Sequence, residues 1–355
     1  MKTILITGGA GFVGSWLAMG LRKAMSDIRV VALDNLKRRG SELNLPRLRD
    51  AGIEFIHGDI RNMEDLEDAG KTDLILECSA EPSVLAGYAG SPRYVLNTNL
   101  VGAINCFELA RKHEAGVIFL STSRVYPHAA INALAYREEA TRFVLEDVQS
   151  VPGASAQGIS EDFPLDGPRS MYGATKLCAE LLLHEYRDMY GVRGVINRCG
   201  VLTGPWQMGK VDQGVVVLWV ARHIYGGPLK YIGFGGQGKQ VRDMLHVDDL
   251  MNLILYQMDH LDELNGNTFN VGGGLGVSAS LQELTALCRE VTDHTIEINQ
   301  SAEDRPADIR LYITDLARVT AATGWRPQRN VRSILEDISA WVYDNYEPLR
   351  PILGF

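Results

Sequence analysis

The sequence predicts an α/β protein with a doubly wound parallel sheet, followed by a smaller C-terminal α/β substrate lobe. The chain opens with a short apolar strand at residues 2–7, a glycine-rich turn and a segment with the apolar spacing of a helix. Short runs rich in β-branched residues then alternate with helical segments up to residue 200. This alternation is typical of parallel strands joined by crossover helices. It ends after Gly204-Pro205, where the second lobe is expected to begin.

The length of 355 residues suggests two domains, or one large domain with an appended lobe. We expect residues 1–200 to form a dinucleotide-binding domain that carries a flap at residues 127–170. Residues 201–355 are expected to form mainly the substrate-binding lobe. The two parts should be interwoven, because no flexible linker separates them.

The composition excludes several classes of function. The net charge of −9 without a basic stripe argues against a nucleic-acid partner. No apolar run reaches about 18 residues, so no membrane span is expected. The five cysteines are scattered and never spaced as Cys-x-x-Cys, which indicates reduced thiols and no metal site. Because the chain passes directly into its first strand without a leader segment, we expect a cytoplasmic protein.

The glycine turn after the first strand is the first predicted cofactor contact. Its glycines recur at three-residue spacing between a strand and a helix. They allow the backbone to approach a dinucleotide diphosphate, and the helix N-terminus offers N–H donors and the positive end of its dipole. The contacts expected here are Gly8, Gly11, Phe12, Val13 and Gly14.

The second strand, Ile28–Leu33, ends at Asp34, about 20 residues past the glycine turn. A carboxylate at this point accepts hydrogen bonds from a ribose 2′-hydroxyl and repels a 2′-phosphate. The pattern therefore favours NAD over NADP, with Asn35 as a neighbouring contact. The basic run at residues 37–39 leaves NADP open, since it is either a solvated loop or a contact to a cofactor phosphate.

The third strand, Ile53–His57, is followed by a polar turn. We expect Asp59 and Ile60 in this turn to lie beside the adenine of the cofactor. The alternative for Asp59 is that it simply caps the helix that starts after Asn62. Asp, Asn, Ser and Thr commonly take that capping role.

The fourth strand, Asp73–Glu77, is followed by Ser79 and Ala80 where its carboxyl end opens toward the cofactor. Ligands of doubly wound sheets bind beyond these carboxyl ends. A long helix is predicted next, over Ser91–His113, and it contains one more expected cofactor contact, Asn99.

The fifth strand, Val117–Leu120, runs into a polar segment that contains Thr122. At a strand end, Thr122 is well placed to hydrogen-bond a substrate hydroxyl. The following stretch, Pro127–Ser170, is long, polar and rich in Pro and Gly. A loop of this length is usually functional or disordered. We interpret it as a flap on the substrate side.

Tyr172 and Lys176 lie four residues apart on the predicted helix Ser170–Tyr190, and so share one face. A free phenol is too weak a base at neutral pH, but an ammonium about 4 Å away would lower its pKa by up to about 3 units. The resulting phenolate can take a proton from a sugar hydroxyl while a hydride leaves the same carbon. A plain surface helix pair is the alternative, and the surrounding motifs decide against it. The sixth strand follows at Val192–Arg198.

The second lobe is predicted to mix helices and strands without an internal repeat. The glycine-rich segment 233–239 is a turn, because it lacks the trailing Ser/Thr and the helix of a phosphate loop. His246 ends a strand, where a structural role is favoured over a catalytic base. The predicted elements are Gln213–Tyr225, Gln240–His246, a helix from Val247, Thr268–Val271, Leu281–Val291, Ile296–Ile298, Thr314–Ala322 and Val331–Tyr346.

These motifs, taken in order, resemble those of the extended short-chain dehydrogenases/reductases, which have a Rossmann domain. The resemblance covers essentially the whole chain. It rests on Gly8, Gly11, Gly14, Asp34, Thr122, Tyr172 and Lys176.

A narrower resemblance is to the CDP-tyvelose (CDP-paratose) 2-epimerase family. The segment 136–142 is similar to part of a long insertion in that family. Such enzymes oxidise C2 with tightly held NAD, turn the 2-keto sugar over and reduce it from the other side. The motifs that carry this resemblance are Asp34–Gly40, His57–Asn62, Asp212–Gly214 and Gly238–His246.

The resemblance implies roles for individual residues. Thr122 would hold the reacting hydroxyl, Tyr172 would be the base, and Lys176 would bind the nicotinamide ribose and tune Tyr172. Arg242 would meet the diphosphate of the nucleotide sugar, because an Arg fork suits diphosphate oxygens. A surface ion pair with a neighbouring carboxylate is the alternative for Arg242. The implied substrate contacts are Ser123, Arg124, Arg198, Gln213, Arg242 and Arg305.

At two positions the sequence differs from the motifs of other enzymes in this superfamily, and both differences argue against alternative activities. Its 4,6-dehydratases place Asp-Glu directly after the threonine, whereas Ser123-Arg124 stands here, so the acid and base for water elimination are absent. Many of its 4-epimerases carry Asn three residues after the arginine that ends the sixth strand. Here Val201 follows Arg198 at that distance, which weakens a simple 4-epimerase assignment.

We therefore expect a cytoplasmic, NAD-dependent nucleotide-sugar epimerase that acts on C2 of a CDP-sugar. A 4-epimerase of the UDP-glucose type and a related nucleotide-sugar dehydrogenase remain alternatives, as does a dinucleotide-binding regulator without chemistry. The resemblance also implies a homodimer, in which the helices Ser91–His113 and Ser170–Tyr190 pair between subunits.

Overall fold

The computed structural model describes residues 1–88, 90–209 and 213–355. Most strands are short. They are β1 (Lys2–Thr7), β2 (Ile28–Asp34), β3 (Glu54–His57), β4 (Leu74–Glu77), β5 (Gly116–Thr122), β6 (Tyr136–Glu138), β7 (Phe143–Leu145), β8 (Ala154–Ser155), β9 (Gly158–Ile159), β10 (Gly194–Cys199), β11 (Val201–Thr203), β12 (Leu229–Ile232), β13 (Val241–His246), β14 (Thr268–Val271), β15 (Ser278–Ser280), β16 (Ile298–Ser301) and β17 (Leu311–Tyr312).

The helices vary more in length, and the longest of them carries the predicted Tyr and Lys pair. They are α1 (Phe12–Ala24), α2 (Asn44–Asp50), α3 (Met63–Glu67), α4 (Arg93–Leu96), α5 (Gly102–His113), α6 (His128–Asn132), α7 (Met171–Tyr190), α8 (Val215–Tyr225), α9 (Val247–Asp259), α10 (Leu261–Leu264), α11 (Leu281–Thr292), α12 (Ala317–Thr323), α13 (Val331–Asp344) and α14 (Tyr346–Leu353).

The chain divides into two compact units. The first comprises residues 1–125, 170–198 and 251–269. The second comprises residues 126–169, 199–250 and 270–355. Most of the predicted flap thus falls in the second unit, and a segment beyond residue 250 falls in the first.

The predicted doubly wound parallel sheet is confirmed. Seven strands follow the order β3-β2-β1-β4-β5-β10-β14. The pairs β2–β3, β1–β2, β1–β4 and β4–β5 all run parallel. Every residue of β5 and all but the first of β1 are buried, as expected for strands with helices on both faces. The carboxyl ends of β1, β4 and β5 therefore meet at one edge of the sheet.

The predicted long helix over residues 91–113 is interrupted in the middle. A π-helical turn, Asn97–Val101, separates α4 from α5. Such a turn inserts one extra residue into a helix and is frequent at functional sites. Asn99, inside this turn, is only 1% exposed and bonds to neighbouring segments.

The helix α7 is delimited by its end residues. The Ser170 side chain accepts a hydrogen bond from the Gly173 N–H at 3.2 Å and so caps the N-terminus. Gly191 ends the helix in the left-handed conformation at φ 72°. The buried face of α7 packs against the core that also contains Phe107 and Phe119, whose rings meet edge to face at 5.7 Å.

The second unit contains a four-stranded sheet in which β13 pairs with β11, β15 and β17. It also contains a separate pair of strands, β12 with β16.

The segment 126–169 is not an irregular loop, because it forms α6 and the hairpins β6–β7 and β8–β9. Its backbone bonds to this unit, with Phe143 N–H donating to Lys239 O at 3.0 Å. The Arg310 guanidinium lies 4.1 Å from the Tyr136 ring centroid and 5.6 Å from that of Phe143.

None of the helices in the described parts of the chain combines the length and the apolar character needed to cross a membrane.

Candidate active site

The glycine turn between β1 and α1 is closely packed. Gly8 has φ +63°, and its carbonyl accepts a hydrogen bond from the Gly11 N–H at 2.9 Å. A Cβ added to Gly14 would lie 2.2 Å from that same carbonyl oxygen. Only glycine at position 14 lets α1 begin this close to the turn. As at every helix N-terminus, the first N–H groups of α1 have no acceptor within the helix.

Asp34 joins the end of β2 to this turn. One of its carboxylate oxygens accepts the Ala10 N–H at 3.1 Å, and the other accepts the Leu36 N–H at 2.8 Å. Burial raises the pKa of Asp34, and the backbone N–H donors oppose that rise. The carboxylate is thus held at the rim of the glycine turn, where the sequence predicted a ribose contact.

Asp59 belongs to a polar cluster with Asn35 and Arg61. It accepts hydrogen bonds from the Asn35 amide at 2.8 Å and from the Arg61 Nε at 2.9 Å. The Arg61 partner lowers the pKa of Asp59 to about 2. Asn62 is the N-cap residue of α3. The alternative role considered for Asp59, that of capping this helix, is therefore wrong. Ile60, the next residue, is buried at 5% exposure.

Asn99 supports the segment after β4. Its side-chain oxygen accepts the Glu81 N–H at 2.8 Å, and its amide donates to the Glu81 carbonyl at 3.1 Å. The same amide donates to the Thr175 hydroxyl at 3.2 Å. Asn99 therefore links α7 to the stretch that carries Ser79 and Ala80, and direct contact of these three residues with a cofactor stays a prediction.

The predicted catalytic residues come from β5 and α7, which pack against each other. Thr122 is the last residue of β5, is 6% exposed, and accepts the Arg124 N–H at 3.2 Å. Tyr172 is half-buried in the first turn of α7, and its carbonyl accepts the Thr175 hydroxyl at 2.8 Å. Lys176 follows one turn later. The helix α7 thus lies against β5 and against the short turn Ser123–Val125 that follows it. A shared catalytic role of Thr122, Tyr172 and Lys176 stays a prediction.

Lys176 has a partner that the sequence reasoning missed. Its Nζ lies 3.1 Å from the Glu77 carboxylate and 4.0 Å from the centroid of the Phe119 ring. Lys176 and Glu77 are each 1% exposed. The signal was present in the sequence, because Glu77 ends an otherwise apolar buried strand, and a buried carboxylate needs a partner.

Arg198, predicted to contact substrate, is engaged inside the first unit. Its side chain is 8% exposed, and its Nη2 lies 2.8 Å from the Glu180 carboxylate. Glu180 also accepts a second guanidinium hydrogen bond from Nε and one from the Ser121 hydroxyl. This arrangement is that of an internal ion pair between β10 and α7. A substrate contact by Arg198 stays a prediction, as it does for the half-buried Ser123 and Arg124.

Arg242 lies on β13 in the second unit. It forms an ion pair with a carboxylate, which was the alternative to a substrate contact in the sequence analysis. Its Nη2 donates to Asp308 Oδ1 at 3.0 Å and to the Ile309 carbonyl at 2.6 Å. Its side chain is 18% exposed. Its Nη1 also donates to the Val241 carbonyl at 2.8 Å. A diphosphate contact by Arg242 stays a prediction.

Two other predicted substrate contacts, Gln213 and Arg305, are half-buried in the second unit. Asp212, part of the motif Asp212–Gly214, lies outside the described residues. His246 is 1% exposed, with its ring nitrogens 3.6 Å from Asp248 and Asp337. Burial lowers the pKa of His246, with the two carboxylates opposing. A buried ring at the end of β13 fits the structural role favoured above.

The residues of the first unit fit a dinucleotide. The glycine turn leaves no room for a Cβ beside the helix N-terminus, which suits a diphosphate. The Asp34 carboxylate suits a ribose diol. The helix α7 of the same unit carries the Tyr172 phenol and the Lys176 ammonium.

Comparison with known proteins agrees with this geometry. The sequence model of the NAD dependent epimerase/dehydratase family matches residues 4–272. The chain is 31% identical to CDP-paratose 2-epimerase of Salmonella typhi, over 95% of this chain and 98% of the relative. It is 26% identical to dTDP-glucose 4,6-dehydratase of Salmonella typhimurium, over 96% and 93%. The NAD complex of Thermus thermophilus UDP-glucose 4-epimerase superposes with a TM-score of 0.77 at 26% identity, covering 96% of this chain and 99% of the other.

Proposed function

The chain belongs to the NAD-dependent epimerase/dehydratase family of extended short-chain dehydrogenases/reductases, and from this membership we propose that it inverts C2 of a CDP-sugar through a transient keto sugar. The observation that supports the proposal most is the 31% identity to a CDP-paratose 2-epimerase along 95% of the chain. The identity to the dTDP-glucose 4,6-dehydratase of Salmonella typhimurium is lower, at 26%.

The residues after Thr122 also support an epimerase. Ser123 and Arg124 follow it in a short helical turn. Elimination of water needs an acid and a base beside the reacting sugar carbons. Neither a serine nor an always-protonated guanidinium supplies that pair at neutral pH. Inversion needs only one base and a hydroxyl partner, and Thr122 and Tyr172 can provide both.

The chemistry divides between cofactor and protein. NAD, when bound, supplies the redox step by accepting and returning hydride at one sugar carbon. The Tyr172 phenolate accepts the proton of the reacting hydroxyl and gives it back when the carbonyl is reduced. The Thr122 hydroxyl holds the sugar oxygen, and the Lys176 ammonium stabilises the phenolate. Rotation of the keto sugar about a fixed diphosphate exposes its opposite face, and Arg242 is the proposed diphosphate anchor.

Substitution Tyr172→Phe tests this assignment. General acid–base catalysis contributes typically about 10²- to 10⁴-fold, so kcat for CDP-paratose should fall by that factor while bound NAD is retained. Turnover is measured by NMR of the C1 and C2 sugar protons. Tyr190→Phe is the matched control, because Tyr190 lies on the same helix and is 52% exposed. Wild-type turnover in Tyr172→Phe would refute the mechanism.

The alternatives predict different products. A 4-epimerase of the UDP-glucose type would interconvert UDP-glucose and UDP-galactose, and the similarity to the Thermus enzyme keeps this test necessary. A dehydrogenase would accumulate NADH, seen as net absorbance at 340 nm with stoichiometric substrate loss. An epimerase shows neither net NADH nor loss of total sugar nucleotide. Mass spectrometry of the ligands released on denaturation would report whether NAD is held tightly.

We also propose a homodimer formed through α7 and the helix that contains the π turn. Leu181 and Met189 on α7 are 58% and 63% exposed, and Val101 is 41% exposed. Exposed apolar side chains on both helices support pairing with a second copy. Sedimentation equilibrium with Leu181→Lys would test this, since a charge there should yield monomers. A cytoplasmic location stays a prediction that cell fractionation would test.

A further inference from the structure

The ion pair of Lys176 and Glu77 is buried, and Lys176 lies one helical turn after the proposed base, Tyr172. The two side chains come from different elements, α7 and the end of β4, and their charged atoms lie 3.1 Å apart. Each residue is 1% exposed. A lone ammonium at this depth would be strongly disfavoured, so the carboxylate makes a buried Lys176 tenable.

Glu77 has further contacts that hold it in place. Its carboxylate accepts a hydrogen bond from the Ser79 N–H, at the segment predicted to face the cofactor. The Phe119 ring on β5 packs against the ammonium from another side, with the Nζ 4.0 Å from the centroid. An ammonium has three donors, so Lys176 can serve Glu77 and a ribose hydroxyl together.

We propose that Glu77 is a positioning residue for the reaction: it holds the Lys176 ammonium in place on α7 and offsets part of the positive charge that acts on Tyr172. The proposal rests on the function proposed above. In a site with an ammonium alone, the phenolate would be stabilised strongly, and a stabilised phenolate is a weaker base. A carboxylate behind the ammonium leaves the position of Lys176 unchanged but keeps the phenolate more basic.

In the described parts of the chain, the other ionisable groups close to Glu77 are thiols. Cys106 on α5 and Cys78, next in the chain, are near it, and burial raises the pKa of the Cys106 thiol well above its usual range. Burial also raises the pKa of Glu77 itself, while the Lys176 ammonium opposes the rise. The Lys176 ammonium, 3.1 Å away, is the charged group that acts on Glu77.

Substitution Glu77→Gln tests the proposal, because it keeps the shape and removes the charge. Coulomb's law at an effective dielectric constant of about 20 gives roughly one to two pH units for a unit charge about 7–12 Å from a titrating group, and the titration midpoint of Tyr172 should move by an amount in this range. Removing this charge should shift the midpoint to lower pH by this amount, and with it the acidic limb of the kcat profile, on which activity rises as Tyr172 loses its proton. The midpoint is read from ¹³Cζ-tyrosine NMR, where loss of the signal in Tyr172→Phe assigns it.

A control separates this effect from plain destabilisation. Phe107→Leu removes buried apolar volume from the same core without changing a charge, so it should lower Tm and leave the Tyr172 midpoint in place. If Glu77→Gln lowers Tm but leaves the midpoint unmoved, Glu77 is only structural and the proposal is wrong. The same result would follow if Glu77 were already protonated.

A second variant keeps the proposal testable if Glu77→Gln does not fold. Glu77→Asp keeps the charge but withdraws it by one methylene, so the midpoint should move in the same direction by a smaller amount. An unmoved midpoint there would also overturn the proposal. Because the NMR titration needs no turnover, it decides the role of Glu77 even if the protein has no epimerase activity, which would refute only the proposed function.

Discussion

Gly14→Ala is the perturbation that tests the cofactor turn most directly. The added Cβ would lie 2.2 Å from the Gly8 carbonyl oxygen and 2.9 Å from the Gly9 Cα, both backbone atoms. Ordinary van der Waals contact begins at 3.4 Å, so turn and helix must separate by more than an ångström. No side-chain rotation can relieve the clash, because the obstructing atoms belong to the backbone.

Two effects set the magnitude. Overpacking of this kind costs about 1–3 kcal/mol, partly offset by the better helix propensity of Ala, which is worth at most about 1 kcal/mol. For binding, a hydrogen bond to a charged group contributes about 1.5–3 kcal/mol. Loss of one backbone donor to the diphosphate should therefore raise the Kd for NAD by roughly 10- to 150-fold.

The assay is calorimetric titration of NAD into protein from which bound nucleotide has been removed, with Tm measured in parallel. Gly20→Ala is the matched control on the same helix. Its Cβ would meet the Met251 sulfur at 2.7 Å, at the far end of a flexible side chain that can move. NAD affinity should be unchanged there. A native Kd in Gly14→Ala would mean that the turn does not hold the diphosphate, and the reasoning would fail.

Two more predictions follow from buried and half-buried ion pairs. Arg198→Met should destabilise the fold by about 3–5 kcal/mol, measured by urea unfolding, because it leaves the Glu180 carboxylate buried without its partner; an unfolding free energy close to wild type would return Arg198 to a role in substrate binding. Asp59, whose pKa is lowered to about 2, contributes stability that is present above its ordinary value of 3.8 and is lost as the pH falls through 2. Arg61→Gln should move the Asp59 midpoint back toward 3.8, as read by carboxyl NMR, and an unmoved midpoint would show that Arg61 is not the cause.

The sequence by itself determined most of the architecture of the first unit, although residues 251–269 were expected in the second lobe. Short apolar strands, helical spacing and glycine at three-residue intervals are local signals, and they located β1, β2, β4, β10 and α7 to within two residues. The same signals marked Asp34, Thr122 and Tyr172, because their types and their places at strand and helix ends are visible along the chain. The order of the motifs was enough to indicate the superfamily, since each motif carries part of the cofactor chemistry.

Only the tertiary structure decided which charged groups meet. Glu77 and Lys176 are 99 residues apart, and Arg242 and Asp308 are 66 apart. No local pattern encodes such pairs, because burial and partner choice are set by the packing of helices on the sheet. The polar segment 127–170 was interpreted from the sequence as a flap. In the structure it forms two hairpins and a helix, and its backbone forms hydrogen bonds with the rest of the second unit. Their strands are only two or three residues long, too short for a periodic signal, and they are stable because the fold supplies their hydrogen-bond and packing partners.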